Sequence, residues 1–125
     1  MQHTAFIVVA VDLNAESKAL IGQSEFDNMQ LHAVFVNIAR GSVVDQQALI
    51  ATLKAGKIFA AGLDVYAKEP LQESELFHLD NVVTLPHVGS ATAETRKKMA
   101  ELAYRNVVDA LEGRTPPYIV NPVFS

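Results

Sequence analysis

The sequence predicts an α/β fold with a parallel sheet, because short apolar runs alternate with stretches of helical periodicity. The first run, AFIVVAV, is continuously apolar and rich in β-branched residues, a pattern typical of a strand buried on both faces. Three shorter runs follow it along the chain. The four predicted strands are Ala5–Val11, Val34–Asn37, Ala60–Val65 and Val82–Leu85.

Two helices are predicted between and after these strands. The first covers Gln46–Ala55, where Asp45 can cap the amino end and Gly56 can end the helix. The second runs over Thr92–Glu112, with its own first residue as the cap and Gly113 as the stop. One face of this second helix is apolar, as in a helix that packs against a neighbour. The apolar residues are Met99, Leu102, Ala103, Val107, Ala110 and Leu111.

Composition indicates one well-buried domain and excludes several kinds of site. Half of the 125 residues are hydrophobic and 19% are charged, which is typical of a globular chain. The expected organisation is a single α/β domain over residues 1–113 and an extended tail, Arg114–Ser125, which holds three of the five prolines. The absence of cysteine excludes disulfides, thiolate catalysis and zinc knuckles.

Charge and hydropathy bear on partners and location. A net charge of −4 disfavours nucleic-acid and anionic-membrane partners, which select clustered Lys and Arg. Ala5–Val11 is too short to span a bilayer and lacks a preceding basic segment, so we interpret it as a strand and not as a signal peptide. A cytoplasmic protein fits these features. His3, His32 and His78 have no metal-ligand spacing, so no metal site is predicted.

Ionisable residues follow three of the predicted strands. Arg40 comes after the second strand, Asp64 and Glu69 after the third, and His87 after the fourth. Loops at the carboxyl ends of parallel strands build the active sites of such sheets, so we expect these side chains to meet at one edge. Arginine, carboxylate and histidine together form a catalytic kind of arrangement.

The chemistry of each residue type supports that interpretation. Arg40 offers a planar fork of donors that matches a substrate carboxylate. His87 belongs to the residue type best suited to proton transfer near neutrality. Glu69 could accept a hydrogen bond from one imidazole nitrogen, which would fix the tautomer and favour the charged ring. Structural roles stay open for all of them, and Asp64 could equally satisfy loop amides.

Two segments carry a resemblance to a known family. They read VNIARGSVVDQQALIATLKAGKIFAAGLDVYAKEP and LFHLDNVVTLPHVGSATAETR. Together they closely resemble the C-terminal part of the D-2-hydroxyacid dehydrogenases, with three motifs in family order and spacing. Within that family the motif sequences are most similar to those of glyoxylate/hydroxypyruvate and 2-ketogluconate reductases. The resemblance covers Phe6–Asn121, and implies the second half of a Rossmann-like dinucleotide-binding domain plus a long C-terminal helix.

The resemblance also implies roles for the motif residues. Arg40 would bind the substrate carboxylate and carbonyl, and Glu69 would pair with the histidine. His87 would donate a proton to the ketone oxygen as hydride arrives from the nicotinamide of NADP or NAD. The implied reaction is reduction of a small 2-keto acid: glyoxylate, hydroxypyruvate or 2-ketogluconate. The implied cofactor contacts are Ile38, Ala39, Arg40, Asp64, His87, Gly89 and Ser90.

The sequence departs from the family pattern at the phosphate-binding turn. The family's glycine-rich turn, GxGxxG, does not occur among the six scattered glycines. A truncated, non-catalytic α/β module that acts as a fragment or oligomerisation partner is therefore an alternative. A third interpretation is a small-molecule-binding domain that holds a carboxylate with Arg40. Because an apolar strand so near the start of the chain would expose an edge, we also expect a homo-oligomer, or a chain truncated from a longer enzyme.

Overall fold

The computed structural model describes residues 4–120, which form two compact units divided between Val88 and Gly89. The first unit contains a four-stranded sheet in which every neighbouring pair is parallel. The spatial order of the strands equals their order in the chain. They are β1 (Phe6–Val9), β2 (Val34–Asn37), β3 (Ala60–Leu63) and β4 (Val82–Thr84).

All four predicted strands are confirmed, and the bounds of β2 agree with the prediction. The first, third and fourth strands end earlier than predicted. Pairing with β2 stops at Asn37, where the chain turns because the Asn37 side-chain oxygen accepts a hydrogen bond from the Ala39 N–H. The carbonyl of Val9 accepts the last bond of this ladder from the Ile38 N–H, so the apolar residues after Val9 have no partner strand.

Residues 4–120 contain three α-helices: α1 (Gln23–Asp27) and α2 (Gln46–Lys54) in the first unit, and α3 (Ala93–Leu111) in the second. The predicted cap of α2 is confirmed, because Asp45 accepts hydrogen bonds from two backbone N–H groups of its first turn. The carboxyl end of α2 is followed by Gly56 at a φ of +64°, a conformation that favours glycine. Two short 3₁₀ helices, Gly41–Val43 and Glu75–His78, complete the first unit.

The second unit contains α3. Thr92 caps this helix by accepting a hydrogen bond from the Thr95 N–H, and Gly113 follows it at a φ of +73°, as the sequence predicts. Residues 114–120 of the predicted tail have no helix or strand, and residues 121–125 lie outside the described part of the chain. Within residues 4–120 we find no helix long and apolar enough to cross a membrane.

The core of the first unit lies on one face of the sheet. Phe35 of β2 and Phe26 of α1 are fully buried there, with ring centroids 5.3 Å apart in an edge-to-face arrangement. Leu49 of α2 belongs to the same buried cluster. The helix α1, which we did not predict, is therefore stabilised by placing one aromatic ring in the core, since five residues cannot hold a helix by propensity alone.

The opposite face of the sheet is also apolar, but it is open. Phe6, Val8 and Val83 are 68%, 57% and 63% exposed. Val8 and Val83 lie in one register row, on either side of the partly buried Val36 and Gly62. The expectation that the first strand is buried on both faces is therefore wrong within the first unit, which leaves this second face uncovered.

We expect Phe35→Ala to lower the free energy of unfolding by about 3–5 kcal/mol, because it removes a fully buried ring and leaves a cavity. Denaturant unfolding followed by circular dichroism would measure the change. The matched control is Phe59→Ala, since the Phe59 ring is 67% exposed and its loss should cost little. Equal destabilisation by both substitutions would contradict this assignment of the core.

Candidate active site

The turn after β2 is built by Asn37, which is only 2% exposed. Its side-chain oxygen accepts from the Ala39 N–H at 3.0 Å, and its side-chain nitrogen donates to the Arg40 carbonyl at 3.2 Å. A buried amide that satisfies two backbone groups fixes the loop from Ile38 to Arg40. Arg40 itself is exposed, and its guanidinium donates a 2.7 Å hydrogen bond to the Ala39 carbonyl.

Gly41 brings this loop against the loop that follows β3. A Cβ atom at position 41 would lie 1.8 Å from the carbonyl carbon of Tyr66 and 2.3 Å from the nitrogen of Ala67. No side chain can occupy that space, since the obstacle is backbone on both sides. The glycine after the arginine is therefore required by close packing of two loops, and this contact brings Arg40 toward the segment that carries Glu69.

Glu69 and His87 form the contact that the sequence predicts. The Oε2 atom of Glu69 lies 2.8 Å from Nδ1 of His87, while its Oε1 atom accepts from the Tyr66 N–H at 3.0 Å. The hydrogen bond to His87, followed by that from Tyr66, lowers the pKa of Glu69 below its usual range, and the charge of Arg40 adds to this. Glu69 is therefore ionised near neutrality, when its carboxylate can hold Nδ1–H.

His87 is held in an unusual backbone conformation. Its φ is +55°, in the left-handed region that residues other than glycine rarely adopt. The following residue is tied down, because the Val88 N–H donates a 2.8 Å hydrogen bond to Oδ1 of Asp64. Strained residues of this kind concentrate at functional sites, where the surrounding structure enforces them.

Asp64 adopts the structural role that the sequence left open. It is 7% exposed and satisfies a loop amide at Val88. In doing so it joins the end of β3 to the segment after β4. Its implied position at the nicotinamide end of a cofactor stays a prediction.

Tyr66 is a site residue that we did not anticipate. Its hydroxyl lies 2.7 Å from the Leu85 carbonyl and 3.0 Å from the Leu63 carbonyl, so it bridges the ends of β3 and β4. Burial raises the pKa of Tyr66, in part offset by the hydrogen bond to Leu85. The phenol therefore keeps its proton and acts as a donor. A tyrosine three residues beyond a buried strand end was the available sequence signal, and it was weaker than that of the charged residues around it.

Among the cavities at this edge of the sheet, two adjoin predicted site residues. One of about 510 Å³ adjoins the Glu69–His87 pair and has mainly apolar walls that include Leu71, Phe77 and Leu85. The other, of about 490 Å³, lies where β1 and β2 end. Its walls are Ala10, Val11, Asp12, Leu13, Ile38, Ala39 and Arg40.

The remaining predicted residues are distributed as follows. Ile38 and Ala39 line the second cavity, while Gly89 and Ser90 form a turn at the start of the second unit. His32 and His78 belong to the first unit, and His3 lies outside the described residues. No group of three or more potential metal ligands occurs between residues 4 and 120.

This geometry suits proton transfer beside a bound anion. With Nδ1 of His87 held by Glu69, Nε2 is the nitrogen left to exchange a proton with a ligand. A ring held in this way can serve as a general acid toward a bound ligand. Arg40 supplies a cation close enough to Glu69 to influence its ionisation.

Comparison with known proteins finds clear relatives of the chain. Residues 1–89 match the family model of the D-isomer specific 2-hydroxyacid dehydrogenase NAD binding domain. The chain is 50% identical over 123 residues to glyoxylate/hydroxypyruvate reductase B of Klebsiella pneumoniae strain 342. That alignment takes in 98% of this chain but only 38% of the relative's length.

Solved structures give the same result for the fold. A protein of Thermus thermophilus superposes with a TM-score of 0.92 at 39% identity, over 96% of this chain and 39% of that one. The NADPH-dependent glyoxylate/hydroxypyruvate reductase of Sinorhizobium meliloti, in complex with NADP and malonate, has a TM-score of 0.84 at 33% identity. It aligns over 88% of this chain and 34% of its own. The parallel α/β architecture predicted from sequence is thus confirmed by structures of this type.

We expect Gly41→Ala to destabilise the chain by about 1–3 kcal/mol, because the added methyl group must push two backbone loops apart. Amide chemical shifts of Tyr66 and Ala67 should change at the same time. The control is Gly62→Ala, where the added Cβ would meet the two Val36 methyl groups at 3.8 and 4.0 Å, which are ordinary contacts. A neutral Gly41→Ala substitution in the same denaturant and NMR measurements would refute the close packing.

Proposed function

The chain belongs to the D-isomer specific 2-hydroxyacid dehydrogenase family through its NAD binding domain, and from that membership we propose that it serves the reduction of a small 2-keto acid by NADPH or NADH. The observation that carries the proposal is the 2.8 Å contact between Glu69 and His87, beside the Arg40 loop. The chain spans 38% of the length of the Klebsiella relative, so the activity proposed is that of the whole protein to which these residues contribute.

In the proposed mechanism His87 is the general acid. Reduction of a ketone develops negative charge on its oxygen, and the Nε2 proton of charged His87 moves to that oxygen. The product is a 2-hydroxy acid and the imidazole is left neutral, with Glu69 still at Nδ1. Arg40 holds the substrate carboxylate and stabilises the charge on the carbonyl. When bound, the dihydronicotinamide supplies the hydride that reaches the carbonyl carbon.

The cofactor contacts are proposed for the nicotinamide end only. The cavity bounded by Ile38, Ala39 and Arg40 at the ends of β1 and β2 supports contacts there. Asp64, His87, Gly89 and Ser90 complete the proposed set. The 125 residues contain no GxGxxG turn, so we assign none of them to the pyrophosphate.

Glyoxylate and hydroxypyruvate are the substrates we propose first. The support is the identity to a relative named glyoxylate/hydroxypyruvate reductase B and the likeness to the Sinorhizobium meliloti reductase. Both keto acids are small and carry the carboxylate that Arg40 would bind. The motif sequences also suggest 2-ketogluconate as a substrate, and this stays a prediction. A cytoplasmic location stays a prediction as well.

We propose further that the chain assembles with copies of itself. The support is the open face of the sheet, where Phe6, Val8 and Val83 are more than half exposed. Parallel sheets are as a rule covered on both faces, and an apolar surface of this kind favours association.

The proposed reaction is tested by following oxidation of NADPH and NADH with glyoxylate and hydroxypyruvate. We expect His87→Ala to lower kcat by at least about 100-fold with a smaller change in KM, because proton transfer is lost while Arg40 still binds the carboxylate. His32→Ala is the matched control, since His32 is exposed and precedes the opposite end of β2. Turnover retained by His87→Ala would remove His87 from the mechanism. Because the activity is proposed for the whole protein, turnover is measured there, and a folded whole protein without any turnover would support the non-catalytic module.

The proposed assembly is tested by size-exclusion chromatography with light scattering. We expect a dimer or larger species, and expect Val8→Lys to shift the chain toward monomer because it places a charge on the open sheet face. Leu31→Lys should leave the mass unchanged, since Leu31 is 74% exposed but lies outside the sheet. A wild-type monomer at all concentrations would contradict the proposal.

A further inference from the structure

A glutamine outside the three motif residues connects the two loops of the site. Gln46 is the first residue of α2 and is partly buried. Its side-chain oxygen accepts a 3.0 Å hydrogen bond from the Ala67 N–H, 21 residues further along the chain. The helix that follows the Arg40 loop thus holds the loop that carries Glu69.

The peptide between Tyr66 and Ala67 is fixed from several directions. Gly41 packs against its carbonyl carbon and nitrogen, and Gln46 binds its N–H. The Tyr66 hydroxyl reaches the Leu85 carbonyl beyond β4. A peptide restrained in this way has little freedom to rotate.

The restraint bears directly on Glu69. The N–H of Tyr66, one peptide earlier, is the group that binds Oε1 of Glu69, while Oε2 faces His87. If the Tyr66–Ala67 peptide moved, the chain from Ala67 to Glu69 would move with it. The Glu69 carboxylate would then shift relative to the Tyr66 N–H and to His87, the partners of the two hydrogen bonds that lower its pKa.

We infer that Gln46 is a positioning residue: through Ala67 and Tyr66 it holds the Glu69 carboxylate against Nδ1 of His87. The catalytic role of this positioning rests on the proposed function, whereas the hydrogen bonds themselves are present without cofactor or substrate. A neutral amide suits the place, because it accepts the hydrogen bond without adding a negative charge near Glu69. A carboxylate there would raise the pKa of Glu69.

The test is NMR on the full chain without ligand, comparing Gln46→Met with Gln47→Met. Methionine keeps the length of glutamine but is a weak hydrogen-bond acceptor. Gln47 is the control because it is the exposed neighbour of Gln46 on the same helix. In Gln46→Met we expect Ala67 amide exchange to accelerate about three- to tenfold, the equivalent of one hydrogen bond. The titration midpoint of the Glu69 carboxyl should rise. Gln47→Met should change neither.

The lowered pKa of Glu69 also determines how the free energy of unfolding changes with pH. A carboxyl whose pKa is lowered in the folded chain contributes stability that is complete above its ordinary pKa and is lost as the pH falls through the lowered value. In Gln46→Met this contribution should be smaller, and its loss should be complete at a higher pH. Gln46→Glu should restore slow exchange at Ala67 while the Glu69 midpoint stays raised by the added charge.

Two results would overturn the inference. Faster exchange at Ala67 with an unchanged Glu69 midpoint would make the Gln46 bond purely structural. Unchanged exchange at Ala67 in Gln46→Met would show that the bond does not hold the loop at all. Neither readout depends on turnover, so a failure of the proposed reductase activity is recorded separately from a failure of this inference.

Discussion

The close approach of Gly41 to the Tyr66–Ala67 peptide sets the geometry of the site at the carboxyl edge of the sheet. Parallel pairing brings the ends of β2 and β3 to the same edge, but pairing alone leaves the loops beyond them free to diverge. Direct backbone contact removes that freedom. Because Arg40 precedes the glycine and Glu69 follows the peptide, one steric constraint brings together the loops that carry a cation and a carboxylate.

Around this contact, three side chains hold neighbouring backbone groups by hydrogen bonds. Asn37 fixes the loop before Gly41, Asp64 fixes the residue after His87, and Tyr66 ties the third strand to the fourth. Each uses a side chain to bind the backbone, which costs little in desolvation because the groups are paired. Glu69 and His87 then carry the ionisable chemistry on a frame that does not itself need to ionise. The hydrogen bond between Asp64 and the residue after His87 helps to maintain the strained φ of His87.

Much of this could be predicted from the residues, and the limits have physical causes. The strands were recognisable because β-branched runs are strong signals, and the caps Asp45 and Thr92 because their chemistry is local. The contact of Glu69 with His87 was predictable once parallel strands placed their loops at one edge. The roles of Tyr66 and Gln46 were not, since each depends on a hydrogen bond between residues distant in sequence. The helix α1 was also missed, because five residues are too few to show a helical period and the helix depends on burial of Phe26.

The two faces of the sheet divide its functions. The face toward Phe35 is closed by α1, α2 and their loops, which makes the first unit a stable support for the site. The open face carries an apolar row that includes Val8 and Val83. Burying this row would add hydrophobic stabilisation, but only when another surface removes it from water. The site residues extend from the ends of the same strands whose side chains form both faces. The assembly proposed for this face would cover the sheet from which the Arg40, Glu69 and His87 loops extend, and a covered sheet gives those loops a more rigid support.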